Sequence, residues 1–135
     1  MGIYLNPGAQ LLRMSRRSRI YVDKSGMVPF LNRVSSTEQR FVCVSRPRRF
    51  GKTMAANMVS AYCDRTVDGA SEFAGLAASR DPELGAHRNQ YDAIRIDMQQ
   101  FLSATHDVGK LLDLLSQSVA RGIVRAYDGL FSRSE

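Results

Sequence analysis

The chemistry in this chain is concentrated in Ser45-Arg46-Pro47-Arg48-Arg49-Phe50-Gly51-Lys52-Thr53. A Gly-Lys-Thr placed after a short apolar run and before a helical pattern has the context of a phosphate-binding loop. In such a loop the backbone N–H groups, with those of the first helical turn, face an anion, and the helix dipole adds to the attraction. Gly51 allows close approach of the backbone. Lys52 reaches the outer phosphates of a nucleotide as a point charge, and the Thr53 hydroxyl is the usual kind of ligand for the accompanying magnesium ion. The expected contact set is Arg48, Arg49, Phe50, Gly51, Lys52, Thr53 and Met54, with Thr53 also on the metal and ATP with Mg2+ as the bound species. A helix N-terminus with an ordinary surface lysine is the plainer alternative.

The loop departs from the general pattern at its first position, where Arg46 stands in place of glycine, followed by Pro47, which has no N–H to donate. The cradle is therefore built from residue 48 onward. Arg48 and Arg49 have two roles open to them, bidentate contact with a phosphate or pairing with acids elsewhere. No residue is assigned a catalytic role.

Positioning such a loop takes a strand before it and a helix after it. Phe41-Val42-Cys43-Val44 reads as a strand buried on both faces, and Met54, Ala55, Met58, Val59 and Tyr62 recur at helical spacing. Ala93 to Met98 reads as a second strand, parallel to the first and joined to it by a right-handed crossover. A short helix runs through Ala9, Leu11, Leu12 and Met14, and Ile20-Tyr21-Val22 is extended. Asp23 or Ser25 caps a helix carrying Met27 to Val34. Residues 64–90 are polar and broken, with Phe73 and Leu76 as anchors and Asp81-Pro82-Glu83 as a helix start. Caps between Ser103 and Asp107 open a long amphipathic helix with Val108, Leu111, Leu112, Leu115, Val119, Ile123 and Tyr127 on one stripe. Gly122 within it marks a close contact or a weak point.

The 135 residues have 19 basic and 13 acidic side chains, a net charge of +6, and 44% are hydrophobic, which describes one globular domain rather than a disordered tail. Residues 1–52 hold 11 basic and 2 acidic groups, net +9, so that half faces something anionic. Nucleic acid is the competing partner. It would need cations spread along a face with aromatic residues between them, whereas these arginines gather at the loop, which favours a nucleotide. Cys43 and Cys63 are read as small core hydrophobes and His87 and His106 have no ligand set near them, so neither a zinc site nor a disulfide framework is expected. The free cysteines fit a reducing cytoplasm, and no apolar run approaches the length of a membrane helix, so a soluble protein without membrane contact is expected. The acid-free, arginine-bearing first 22 residues leave an organellar transit peptide as a minor alternative.

Tyr21-Val22-Asp23-Lys24-Ser25-Gly26 together with Cys43 to Met58 closely resembles the bacterial AAA-ATPase-like family, as do Asn6-Pro7-Gly8 and Tyr91-Asp92 to Phe101. The resemblance spans nearly the whole chain, and Arg46 in place of glycine is the family's habit. It implies an α/β fold, a partial P-loop NTPase with a three-layer, mainly parallel sheet and flanking helices. It further implies that residues 1–135 are the N-terminal portion of the ATPase domain, without its Walker B half or the nuclease-like domain that often follows. The family's Asp-Glu pair has no counterpart, since the chain contains no Asp-Glu dipeptide, so turnover of ATP is expected to be poor or absent. A thin, incomplete sheet also implies exposed apolar edges and self-association. The segment from Tyr21 to Lys24 is expected beside the nucleotide, with Tyr21 itself favoured as a core aromatic. Asp97 is expected to cap a helix or to stand near the loop.

Overall fold

The computed structural model describes residues 4–128, which divide into two compact units: Gly8–Tyr91, and residues 4–7 together with 92–128. Both are helical. The seven α-helices among the described residues are α1 Gln10–Arg16, α2 Met27–Ser35, α3 Lys52–Cys63, α4 Ala70–Phe73, α5 Leu84–His87, α6 Met98–Ala104 and α7 Val108–Ala126, with 3₁₀ turns at Glu38–Arg40 and Ala77–Arg80.

The core of the Gly8–Tyr91 unit is built on one side of α3, where Met58, Ala61 and Tyr62 meet Ala9 and Leu12 of the α1 region and Val28 of α2. Phe73 and Leu76 anchor the irregular segment as the sequence predicts, with 1% and 6% of their surfaces exposed. The Phe73 ring meets Tyr62 edge to face at 5.5 Å, a favoured aromatic geometry. Polar groups close the far end of α3. Asp64 is wholly buried and accepts hydrogen bonds from the Gly8 amide at 2.6 Å, the Thr66 amide at 2.8 Å and the Thr66 hydroxyl at 2.6 Å. Asn89, in the left-handed conformation with φ 57, donates to the carbonyls of Ala61 and Asp64 and accepts from the Gly69 amide. An ion pair between Arg13 and Glu72 joins α1 to α4.

In the second unit, residues 4–6 run beside 93–95 through one antiparallel bridge, Leu5 to Ile94, flanked by hydrogen bonds from Asn6 N to Ala93 O and from Arg95 N to Tyr4 O. Asp97 caps α6 by accepting from the Gln99 amide, and Asp107 caps α7 through the amides of Gly109 and Lys110. Gly122 is a close contact: the Tyr4 ring lies 3.7 Å from where a Cβ would stand. The α7 stripe is only partly covered, since Leu111 is buried while Val108 and Leu112 lie 72% and 55% exposed.

The expected three-layer α/β fold with a mainly parallel sheet is not what the chain forms: the described residues contain isolated bridges and no sheet. Phe41-Val42-Cys43-Val44 forms no strand and is unpaired, and Phe41 is 83% exposed, because no described segment takes up its backbone hydrogen bonds. An apolar stretch becomes a strand only beside another strand. Residues 93–97 do pair, antiparallel and for one bridge only. Asn6 turns the chain into the left-handed region with φ 49 and Pro7 has no N–H, so the ladder stops there. Cys43 is correspondingly exposed rather than a core hydrophobe. Cys63 does pack on the core, and burial, helped by the neighbouring Asp64, raises its thiol pKa.

Replacing Asp64 by alanine strands the partly buried amide of Gly8 and unties Thr66, and should lower unfolding stability by about 3 kcal/mol, read from the urea midpoint.

Candidate functional site

The loop at residues 45–53 and the N-terminal turn of α3 lie within the Gly8–Tyr91 unit and form from local sequence without a sheet behind them. Gly51 is the N-cap, with φ 77 and ψ 26, a left-handed conformation that glycine adopts without penalty. Arg49 is left-handed too, with φ 67. These two reversals bring the chain into α3, whose first internal hydrogen bond runs from the Ala55 amide to the Gly51 carbonyl at 2.9 Å. The amides of Lys52, Thr53 and Met54 precede that bond and have no acceptor among the described residues.

Lys52 folds back over the loop. Its Nζ donates to the Arg46 carbonyl at 2.5 Å and the Pro47 carbonyl at 3.0 Å, so the loop closes around its own ammonium group. Pro47 thus contributes as an acceptor where it could not be a donor. Arg48 and Arg49 are exposed and make no ion pair among the described residues, and Thr53 is exposed with its hydroxyl uncommitted. Phe50 is 57% exposed. Beside the loop lies a cleft of about 410 Å³, with Ile20, Val22 and Lys24 on one wall and Arg49, Phe50, Gly51 and Met54 on the other. Of the predicted contact set the structure therefore brings Arg49, Phe50, Gly51 and Met54 to one cleft, sets Lys52 into the loop and leaves Arg48 and Thr53 on its surface.

The segment before α2 is tied to this loop by Lys24, whose Nζ donates to the Phe50 carbonyl at 2.7 Å. Sequence spacing had marked Lys24 only as part of a motif, since nothing local links position 24 to position 50. Its neighbours correct another expectation. Asp23 and Ser25 do not cap α2, which begins after Gly26 without a side-chain cap; they accept the amides of Ala77 and Ala78 at 2.6 and 2.9 Å. Desolvation by itself raises the Asp23 pKa, but the hydrogen bonds from Ala77 and Ser25 and the nearby Arg16 outweigh it and leave the carboxyl below its ordinary value. Tyr21 is partly buried against the core, and burial, reinforced by Asp23, raises its phenol pKa against the opposing pull of Arg16.

Lys24, Arg46, Arg48, Arg49 and Lys52 thus place five cations at or beside three uncommitted amides, and no acid pairs with any of them among the described residues. Such a surface attracts a multiply charged anion. No group of three or more His, Cys, Asp or Glu side chains among the described residues could hold a metal ion, so Thr53 would be the protein's contribution to a magnesium ion held mainly by phosphate and water.

A family model described as "Predicted AAA-ATPase" matches residues 9–128. The chain belongs to the AAA-ATPase-like family. No curated protein and no solved structure matches it. The family match covers the loop, the α3 helix and the Lys24 segment together. Among the described residues no helix of this AAA-ATPase-like chain is long and apolar enough to cross a membrane.

The ionised Asp23 carboxyl favours the folded state, so its contribution is present above 3.8 and is lost as pH falls through the lower folded value. Asp23→Asn should be less stable than the parent at pH 7, and the two thermal midpoints should converge as the pH is taken well below 3.8.

Proposed function

We propose that this AAA-ATPase-like chain binds ATP with magnesium through residues 45–53 and the first turn of α3. The observation that carries this reading is the set of uncommitted amides at Lys52, Thr53 and Met54, placed among cations with no acid to neutralise them. Lys52 contacts the outer phosphates, Arg48 and Arg49 contact them from the loop's surface, Thr53 supplies a hydroxyl to magnesium, and Phe50 and Met54 line the apolar side of the cleft. Magnesium, when bound, would supply positive charge to the phosphates, with Thr53 as the residue that would hold it. Hydrolysis needs acids to orient water, and the chain has no Asp-Glu dipeptide, so binding without efficient turnover is the activity proposed for it. The free thiol of Cys43 on the surface suits a reducing compartment such as the cytoplasm.

Titration with a fluorescent ATP analogue tests this. Lys52→Ala should weaken binding by on the order of 2 kcal/mol, roughly thirtyfold, because a charge-assisted contact is lost, and ADP should compete. Thr53→Ala should chiefly reduce the dependence on magnesium. If Lys52→Ala leaves nucleotide affinity unchanged while DNA binding falls with a steep salt slope, the basic half grips nucleic acid and the nucleotide reading is wrong.

A further inference from the structure

Lys24 joins two parts of the chain that are 26 residues apart, and its own placement is unusually well fixed. Its carbonyl accepts the Met27 amide at 3.2 Å, and the Ser25 carbonyl accepts the Val28 amide at 2.9 Å, so the backbone around it already belongs to the entry of α2. On either side of it, Asp23 and Ser25 are fastened to the amides of Ala77 and Ala78, and Ser25 is wholly buried. From this frame the side chain crosses to the loop, where Nζ meets the Phe50 carbonyl at 2.7 Å and Cε lies 3.1 Å from where a Cβ on Gly51 would stand. No side chain at position 51 would fit beneath it without displacement.

The Phe50 carbonyl is a consequential place to hold. It lies between two left-handed residues, Arg49 with φ 67 and Gly51 with φ 77, and arginine does not favour that conformation. The peptide joining Phe50 to Gly51 is planar and trans, so its C=O and N–H lie on opposite sides. Drawing the Phe50 oxygen toward Lys24 therefore turns the Gly51 N–H the other way, and that amide has no acceptor among the described residues. We propose that Lys24 is a positioning residue: by holding the Phe50 carbonyl it keeps the phosphate loop in its left-handed form and aims the Gly51 amide for an anion. This role rests on the nucleotide reading above and adds to it a residue outside the loop. The motif Asp23-Lys24-Ser25 thereby connects the loop to the 3₁₀ turn at Ala77–Arg80 through alternating side chains, the outer two to the turn and the middle one to the loop.

The test compares the parent chain with Lys24→Met, which keeps length and loses the donor, and Lys24→Arg, which restores one. Digestion of the ligand-free native chains with an arginine-specific protease reports loop opening as cleavage after Arg48 and Arg49, with cleavage after Arg33 in α2 as the internal reference. Lys24→Met should speed loop cleavage on the order of tenfold, leave the Arg33 rate unchanged and weaken the fluorescent ATP analogue on the order of tenfold, and Lys24→Arg should recover most of both. Unchanged loop cleavage overturns the assignment, as does acceleration at Arg33 equal to that in the loop, which would mean general destabilisation. Faster loop cleavage with undiminished analogue affinity also overturns it. If the parent itself binds no analogue, the nucleotide reading fails instead, and the cleavage rates alone decide whether Lys24 holds the loop.

Discussion

The Gly8–Tyr91 unit depends on the two ends of α3 being finished in opposite ways. At its C-terminal end, a buried carboxylate at Asp64 and a left-handed Asn89 consume the backbone groups of Gly8, Ala61, Thr66 and Gly69. At its N-terminal end the amides of Lys52, Thr53 and Met54 are left uncommitted. A buried carboxylate is tolerated only when its oxygens are fully engaged, and Asp64 meets that condition with three donors. The helix is thus anchored at one end and available at the other, and the apolar side facing Leu12, Val28 and Phe73 fixes its rotation between them.

The elements that the sequence made legible are those whose signals are local. Helical spacing after Gly51, the caps Asp97 and Asp107 and the apolar anchors Phe73 and Leu76 all depend on neighbours a few residues away or on burial that residue type alone implies. The sheet was misread because a strand is a pairwise object. Phe41-Val42-Cys43-Val44 has the composition of a strand and lacks a partner, and residues 93–97 meet a partner whose third residue turns away at Asn6. Asp23 and Ser25 were misread for a related reason: their oxygens take amides 53 or 54 positions distant in preference to those of the helix next door.

The site was partly legible. Loop residue types, their order and their charge are written in the chain, as is membership of the family over residues 9–128. The contribution of Lys24 and the use of Pro47 as an acceptor were not, because both depend on where a long side chain ends rather than on where it begins. The cations that looked like a feature of the first half of the sequence turn out to matter through their lack of counter-ions: the ion pair between Arg13 and Glu72 involves none of the loop's cations.

An ammonium group has three hydrogens, and in Lys52 two are engaged by the carbonyls of Arg46 and Pro47. The third is left over. An anion reaching the loop therefore meets a charge whose four-carbon stem has already surrendered its rotational freedom, an entropy of about 2 kcal/mol for a lysine side chain that binding does not have to remove again. The same two carbonyls set the reach of the charge, so a phosphate is gripped where the loop puts the lysine and not wherever a free lysine could follow it.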